Sequence, residues 1–381
     1  MRVELIDKLD DFLKLKEFWN DLLRKSNSNF PFLTFEWLLS WWKSFGEDKQ
    51  LFVLIVNETI DESSRGIAPL MLVKSAGFRI IEFIGTGLSD YLDFIIEGLT
   101  VETINAFFEY LNKKKKSWDL IFLSDVLLED GSVERLLKAG QSAGWKTCFR
   151  RYTASPYLSI NGDWSQFLSS KSSNFRYTLK RKEKRLEKEG LNLKICRFNS
   201  NNFENQTFED IVEIERNSWK FKAGTAKTEE ESLKKFYIDF LSEFANNGWL
   251  NLWVGYLNDD RAAYLINFDY REKIWFYNAA YHYQSRRYAI GSILTHHAVR
   301  DAFSRGKTEY DFMRGEEEYK DRWASGKHEL FQLVFYKKSL RSILGCFLLF
   351  RLRWFLAKYR KIKEIRLYLK KFSHKLKTRL S

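Results

Sequence analysis

The chain has 381 residues, 45% hydrophobic and 17% aromatic, with only three prolines, enough apolar surface for two cores of ordinary size and too much for extended disorder. The formal net charge of +13 suggests a nucleic-acid partner until it is located: residues 337–381 hold fifteen Lys or Arg against one acidic residue, Glu364, and so carry +14, leaving the body at −1. A basic tail on a neutral body excludes a chain that binds nucleic acid over its whole surface.

The first nineteen residues, MRVELIDKLDDFLKLKEFW, are interrupted by charges throughout and lack the apolar core of a signal peptide, so a cytoplasmic protein is expected. A strand over Val3 to Ile6 and an amphipathic helix to about Leu23 lead to a second helix with Thr34 as N-cap before Phe35, Trp37, Leu38 and Trp41. Leu51 to Val56 and Gly66 to Val73 read as a hairpin. Strands over Arg79 to Ile84 and Asp93 to Ile96 flank the loop GTGLSDYLD. Helix, strand, helix and strand then follow over Val101–Lys116, Trp118–Ser124, Gly131–Ala143 and Trp145–Tyr152.

The second half opens at Asp163-Trp164 with a helix start and continues into the basic helix SSNFRYTLKRKEKRLEKEG, which Gly190 stops. A strand over Leu191–Phe198, helices over Phe208–Phe221 and Glu229–Ala245, and strands over Trp249–Leu257, Ala262–Tyr270 and Lys273–Tyr281 come next. The stretch Arg286-Arg287-Tyr288-Ala289-Ile290-Gly291-Ser292 then precedes a helix whose apolar positions Ile290, Ile293, Leu294, Ala298 and Ala302 recur at helical spacing. Small residues at 289 and 291, a helix N-terminus and two arginines make an anion cradle. A strand over Thr308–Met313, a short charged helix and a strand over Glu329–Tyr336 complete the body.

Arg286 to Gly291 resembles motif A of the GNAT acyltransferases, Gln/Arg-x-x-Gly-x-Gly/Ala, with Ala289 in place of the middle glycine. The two halves also share one order: strand, two helices, three or four antiparallel strands, helix, strand, helix, strand. That order is the GNAT order, so its duplication implies an α/β protein with mixed sheets and two tandem GNAT-like domains, as in the FemAB-like transferases. We expect an N-terminal domain over 1–155, a C-terminal domain over 156–338, and a basic amphipathic helical tail over 339–381. Only the second copy has the phosphate turn; the equivalent link Glu97-Gly98-Leu99-Thr100 is acidic.

Several further stretches look like the CelD-like, or BioF2-like, acetyltransferase-domain family of bacterial polysaccharide clusters. They are Phe30-Pro31-Phe32-Leu33 with Trp37 and Trp41-Trp42, Gly66-Ile67-Ala68-Pro69-Leu70, Gly87 to Asp93, Ser173-Asn174-Phe175-Arg176, Ser218-Trp219-Lys220, and Asp311 to Gly315 with Tyr319, Lys320 and Trp323. They occur in the family's order and span about residues 1–335.

The resemblance implies an acyl-CoA donor, acetyl-CoA above all. It would be held by Arg286, Arg287, Tyr288, Ala289, Ile290, Gly291 and Ser292, with backbone near Asn278, Ala280 and Tyr281 at the thioester. Acyl transfer needs a base, a polarised carbonyl and a proton for the leaving thiolate. Asp311 or Glu316 is the candidate base, Arg314 or Lys320 the group that orients the acceptor, and Tyr319 the acid. The plainer alternative is an Asp311–Arg314 or Glu316–Lys320 ion pair that closes the domain. Ser89, Asp90, Tyr91, Asp93, Arg176, Trp219, Lys220 and Trp323 are candidates for binding a small-molecule or lipid-linked sugar acceptor.

Cys148, Cys196 and Cys346, odd in number and far apart, fit a reducing compartment. His296 and His297 are adjacent and are expected on different helix faces, so no metal is expected. Leu348, Leu352, Phe355, Tyr359, Ile362 and Leu369 form an apolar stripe among the tail's cations, which favours lying on an anionic membrane surface over a helix packed on the body or an RNA contact. The expected function is acyl transfer to an amine or hydroxyl of a sugar or cell-envelope precursor. A FemAB-type aminoacyl-tRNA-dependent transferase, the one reading with a nucleic-acid partner, and a non-catalytic membrane-docked scaffold are the alternatives.

Overall fold

The computed structural model describes residues 1–56, 64–98, 100–199, 202–218, 230–352 and 354–355. The first half runs β1 (Val3–Ile6), α1 (Leu9–Leu13), α2 (Lys16–Lys25), a 3-10 turn at Pro31–Leu33, and α3 (Phe35–Phe45). Then come β2 (Gln50–Leu51), β3 (Val53–Val56), β4 (Ser64–Ala68), β5 (Leu70–Ser75), β6 (Phe78–Phe83), β7 (Ile95–Gly98), α4 (Thr100–Lys113), β8 (Leu120–Leu127), α5 (Ser132–Ser142) and β9 (Lys146–Ser159). The side chain of Thr34 caps α3 by accepting from the Trp37 amide at 3.3 Å. The single helix expected up to Leu23 is two, because the Leu15 amide turns back to the Phe12 carbonyl at 3.1 Å and closes a tight turn.

Each arm of the expected hairpin is broken as well. Pro69 has no amide to offer a ladder, and its carbonyl accepts from Ile84 at 2.9 Å, while the Phe52 amide crosses to Leu70. The chain therefore changes sheets there. β3 and β4 stay in a four-stranded sheet of order β1-β3-β4-β7, and β2 and β5 enter an eleven-stranded one.

The second half runs α6 (Trp164–Ser170), α7 (Ser173–Lys188), β10 (Leu193–Phe198), α8 (Asn205–Arg216), α9 (Glu231–Asn246), β11 (Leu250–Leu257), β12 (Asp260–Tyr270) and β13 (Lys273–Tyr281). It continues with α10 (Ile290–Ser304), β14 (Glu309–Asp311), α11 (Glu318–Asp321), β15 (Gly326–Tyr336) and α12 (Leu340–Cys346). The basic helix α7 is capped by Ser172, whose side chain accepts from the Phe175 amide. The end of the helix expected over Phe208–Phe221 lies outside the described residues.

The large sheet has the order β10-β11-β12-β13-β14-β9-β15-β8-β6-β5-β2. β9, from the first half, pairs with β14, while β15, from the second, inserts between β9 and β8. Each half thus lends its last strand to the other, and the boundary expected between 155 and 156 falls inside β9. The halves also share a core. Trp37 of α3 meets Phe236, Phe240 and Tyr277 with ring centroids 5.0, 5.0 and 5.2 Å away.

Where the lent strands cross, Gly326 of β15 lies opposite Tyr157 of β9. A Cβ on Gly326 would come within 2.6 Å of the Tyr157 ring, so only glycine lets that ring lie across β15 and stack on His328 at 4.2 Å. The sheet is locked at this seam, which fixes β14 and the crossover beside it.

Candidate active site

β13 and β14 are parallel and joined by the α10 crossover, yet they pair only from Lys273–Glu309 to Trp275–Asp311. Past Trp275 they part. The cause is local: Ile266 of β12 faces Asn278 while the next residue, Asn267, faces Phe276, so Tyr277 is an extra residue in β13. Such a bulge bends its strand and re-aims the residues after it, and Met313, just past β14, has a left-handed φ of 59°.

The N-terminus of α10 points into this opening. Ala289 is its N-cap, at φ 56° and ψ 37°, and offers no side-chain cap. The first amides of a helix have no partner within it and carry its positive dipole end. A cavity of about 360 Å³ lies against them, lined by Ala279, Ala280 and Tyr281 of β13, Arg286 and Ala289 of the turn, Gly291, Ser292 and Thr295 of α10, and Tyr319 of α11.

Two further cavities share lining residues with it. One of about 460 Å³ shares Ser292, Thr295 and Tyr319 and is closed by Asn174, Phe175, Thr178, Lys182, Arg322 and Trp323. The other, of about 780 Å³, shares Ala289 and is walled by Lys180, Arg181, Lys184, Arg185 and Lys188 of α7 with Arg287 and Tyr288. A strongly cationic groove, a helix N-terminus and a more enclosed chamber therefore form one cleft. Its field favours an anion at the groove end.

The residues expected at the donor divide by role. Ala280, Tyr281, Arg286, Ala289, Gly291 and Ser292 line the middle cavity, and Arg287 and Tyr288 the groove. Arg287 lies over the Tyr288 ring at 4.6 Å and donates to its hydroxyl. Ile290 is buried in the core, leaving only its backbone to the site. The side chain of Asn278 turns the other way, donating to the hydroxyls of Tyr237 at 3.0 Å and Tyr264 at 3.1 Å. Tyr264 in turn donates to buried Glu215 at 3.0 Å.

Of the residues expected in catalysis, Tyr319 alone lines the cleft, and it faces both chambers. Burial, then Glu317, raises its hydroxyl above the usual 10.0. Asp311 is fully buried, accepting from the Tyr91 hydroxyl at 2.6 Å and the Met313 amide at 2.6 Å. Arg314 does not pair with Asp311. It sits 2.7 Å from Asp125 and 3.2 Å from Asp90, and although burial opposes its charge, the two carboxylates more than offset that and raise its pKa. Glu316 is 2.6 Å from Arg151. Lys320 donates to the carbonyls of Met313 and Arg314 at 3.1 and 3.0 Å, and its carboxylate partner is Glu317, not Glu316.

The residues expected at the acceptor are mostly inside the protein. Ser89 accepts from the Trp37 indole at 2.9 Å, Asp93 accepts from Ser28 at 2.6 Å and from Ser132, and Tyr91 and Asp90 bridge to the second half. Burial, then Asp130, lifts the Asp93 carboxyl to about 6. Arg176 caps the end of α6 through the carbonyls of Leu168, Ser169 and Lys171. Trp323 is the one that reaches the cleft, its ring 5.0 Å from Phe175. Trp219 and Lys220 lie outside the described residues.

Thr178 and Lys182 were not singled out in the sequence, and Asn174 only within the stretch Ser173 to Arg176, although their i, i+4 spacing on α7 puts them on one face with Phe175 and Leu179. Two lysines line that chamber and burial weakens the charge of both, with Arg322 and then Arg181 adding to the effect at Lys182. Lys171 is committed to the carbonyls of Arg322 and Trp323 at 3.3 and 3.2 Å, so Lys182 is the candidate to take up a proton.

The two histidines, expected on different helix faces, reach one carboxylate. Nδ1 of His296 and Nε2 of His297 both reach Oε1 of Glu183, at 3.3 and 3.2 Å, because different ring atoms extend from neighbouring faces to one point. The three ligand atoms lie within 4.8 Å of one another, a set that metals use. Glu309, Asp311 and His328 form a second such set, where the Lys273 ammonium, 2.9 Å from Glu309, already supplies the cation.

The acetyltransferase (GNAT) domain profile matches residues 173–321, which hold α7, the bulged β13 and the α10 crossover. No protein of curated function matches the chain. The structure of FemX superposes with a TM-score of 0.63 at 11% identity, covering 91% of this chain and all of FemX. A conserved Bacteroides thetaiotaomicron protein of unknown function gives 0.56 at 13% identity over 88% of this chain and all of its own. L-PGS from Bacillus licheniformis gives 0.52 at 14% identity over 88% of this chain and 95% of its own. The chain therefore has a GNAT-type fold in the FemX-like arrangement, with the α10 crossover in the half that the GNAT domain profile matches.

Proposed function

We propose that the protein transfers an acyl group from acyl-CoA, acetyl-CoA above all, to an amine or hydroxyl of a small-molecule or lipid-linked sugar or other envelope precursor. The observation that carries this is the uncapped N-terminus of α10 opening into the gap between β13 and β14. A diphosphate there meets backbone amides and Arg286. The nucleotide's further phosphate meets the α7 groove, and the thioester arm runs along Ala279 to Tyr281.

The acceptor then occupies the chamber of Asn174, Thr178 and Trp323. Its nitrogen or oxygen attacks the thioester carbon, its proton passes to the Lys182 amine, the carbon–sulfur bond breaks, and the thiolate takes the Tyr319 proton. A phenol held above its ordinary pKa stays protonated until the thiolate appears, and a lysine held below its own is the better base at neutral pH. Asp311, Arg314, Glu316 and Lys320 have structural partners and take no part in this chemistry.

The test is calorimetry of acetyl-CoA with the wild-type protein and with Arg287→Glu combined with Gly291→Asp. Gly291 has room for a side chain, the nearest atom to an added Cβ being 3.8 Å away in Tyr281, so the fold is kept. We expect at least a tenfold loss of affinity; undiminished binding would overturn the assignment. The length and charge of the α7 groove favour one rival donor, an aminoacyl-tRNA. Displacement of bound acetyl-CoA by aminoacyl-tRNA, with no turnover of acetyl-CoA, would move the assignment to that donor.

A further inference from the structure

The helix that leaves the sheet after β15 carries large apolar side chains on both its inner and its outer side, and among the described residues only the inner side is covered. Ser339 caps α12, accepting from the Ser342 amide at 3.2 Å, and a π-helical turn over Phe347–Arg351 carries the helix on toward Phe355. The inner side packs on a small core of its own, separate from the main one, with Cys346, Leu349 and Phe350 against Phe78, Leu120 and Val334. Gly345 allows that approach: a Cβ there would lie 2.8 Å from the Phe78 ring.

On the outer side Leu340, Ile343, Leu344, Phe347, Leu348 and Phe355 remain between 41% and 88% exposed. Six large apolar side chains on one face of one helix exceed the scatter of single exposed residues that a soluble surface tolerates. A helix with a second apolar side calls for a second covering surface.

The charge around the face says by what. Residues 337–355 hold five Lys or Arg and no acidic residue, and Lys113 to Lys116 are four lysines in a row. The structure brings the two groups together, since the Lys337 ammonium donates to the Lys115 and Trp118 carbonyls. A second copy would set this cationic rim against itself. A polyanion such as RNA would satisfy the rim and leave the leucines wet.

We propose that this face docks on an anionic lipid bilayer, with the six apolar side chains among the acyl chains and the lysines and arginines at the headgroups. Among the described residues no helix is long and apolar enough to cross a membrane, so the attachment is to the surface. The surface potential of an anionic leaflet attracts each of these cations, and apolar insertion adds the second signal that stable anchoring needs. The docking element is the folded helix over 340–355, whose inner face fixes the orientation of the whole body, and the basic residues beyond it add charge.

The test is co-sedimentation of the full chain with vesicles of phosphatidylcholine alone and with 30% phosphatidylglycerol (about a third anionic, enough for surface potential to act). We expect binding to the anionic vesicles at least tenfold tighter than to the neutral ones and weakened by high salt. Leu344→Glu with Phe347→Glu should remove at least nine-tenths of it while leaving the circular dichroism spectrum and acetyl-CoA binding unchanged; Leu340→Ser with Leu348→Ser serves if the first pair misfolds. Equal binding by wild type and variant would overturn the proposal, as would failure of the wild type to bind anionic vesicles. So would a vesicle-free dimer that the same substitutions dissociate, which would give the face to a second copy. Loss of binding only when the cations beyond 355 are neutralised would give the docking to the tail alone.

Discussion

The hydroxyl of Tyr91 donates to Asp311 at 2.6 Å across 220 positions of chain, joining a loop of the first half to the strand end beside the cleft. Burial lifts the Asp311 carboxyl from its usual 3.8 to about 6, with His328 and the Tyr91 bond holding it from going further. Between those two values the folded protein keeps a proton that the unfolded chain has released. Stability from this group is therefore complete below pH 3.8, falls as pH rises to about 6, and is level above. The full swing is about 3 kcal/mol for a shift of that size. Comparing urea unfolding of wild type and Asp311→Asn removes the titration of every other group; the wild type's advantage should shrink by up to that amount between pH 4 and 7. A difference that stays flat would mean that Asp311 is not buried as described.

Arg314 lies 2.7 Å from Asp125 and bonds through its own amide to Asp90 at 3.1 Å. Asp125 is 1% exposed. Removing the guanidinium leaves that carboxylate buried and uncompensated, a loss of about 3–5 kcal/mol. Arg314→Met should thus lower the melting temperature by many degrees. A residue that oriented the acceptor would instead lower turnover in a protein that melts normally, and scanning calorimetry beside an activity assay separates the two.

These two residues show where sequence reading stops. The DFMRG stretch and the SDYLD loop were both picked out by their charge pattern, and they do meet, at Tyr91–Asp311 and Asp90–Arg314. Charge pattern alone does not say whether the meeting place is wet. The order of elements along the chain was legible because alternation and turn residues are local signals, and so was the turn into α10 at Ala289. The exchange of β9 and β15 was not, since both read as ordinary closing strands and only long-range pairing chooses their neighbours. Lys182 was hidden among other lysines on a helix whose solvated and cleft-facing sides have the same composition.

Ala289 holds the left-handed conformation, at φ 56°, in a place where the resembling motif has glycine. For alanine this costs about 1–2 kcal/mol, while glycine gives back about 0.4–1 kcal/mol through the freer unfolded chain. Ala289→Gly is accordingly expected to raise stability slightly, by about 0.5 kcal/mol on balance of those terms, and to leave acetyl-CoA affinity unchanged. Ala289→Val, branched at Cβ, should destabilise and weaken binding together. A lower melting temperature for the glycine variant would show that the turn is not strained.

The roles given to Tyr319 and Lys182 separate in kinetics. Loss of a positioned general acid lowers turnover by about 10²–10⁴-fold, so Tyr319→Phe should reduce kcat in that range with the KM for acetyl-CoA unchanged. The loss should shrink with a donor whose thiolate is more acidic and needs no proton. Lys182→Met removes the base instead. Because burial and the nearby arginines hold the lysine below its usual 10.5, the wild type's kcat/KM should climb with pH and level off below that value, and the variant's residual activity should lose this limb. Tyr319 and Lys182 line the same 460 Å³ chamber, so the double variant should lose far less than the product of the two single losses if proton removal and proton delivery belong to one transition state. Fully multiplicative losses would mean that the two side chains act independently of each other.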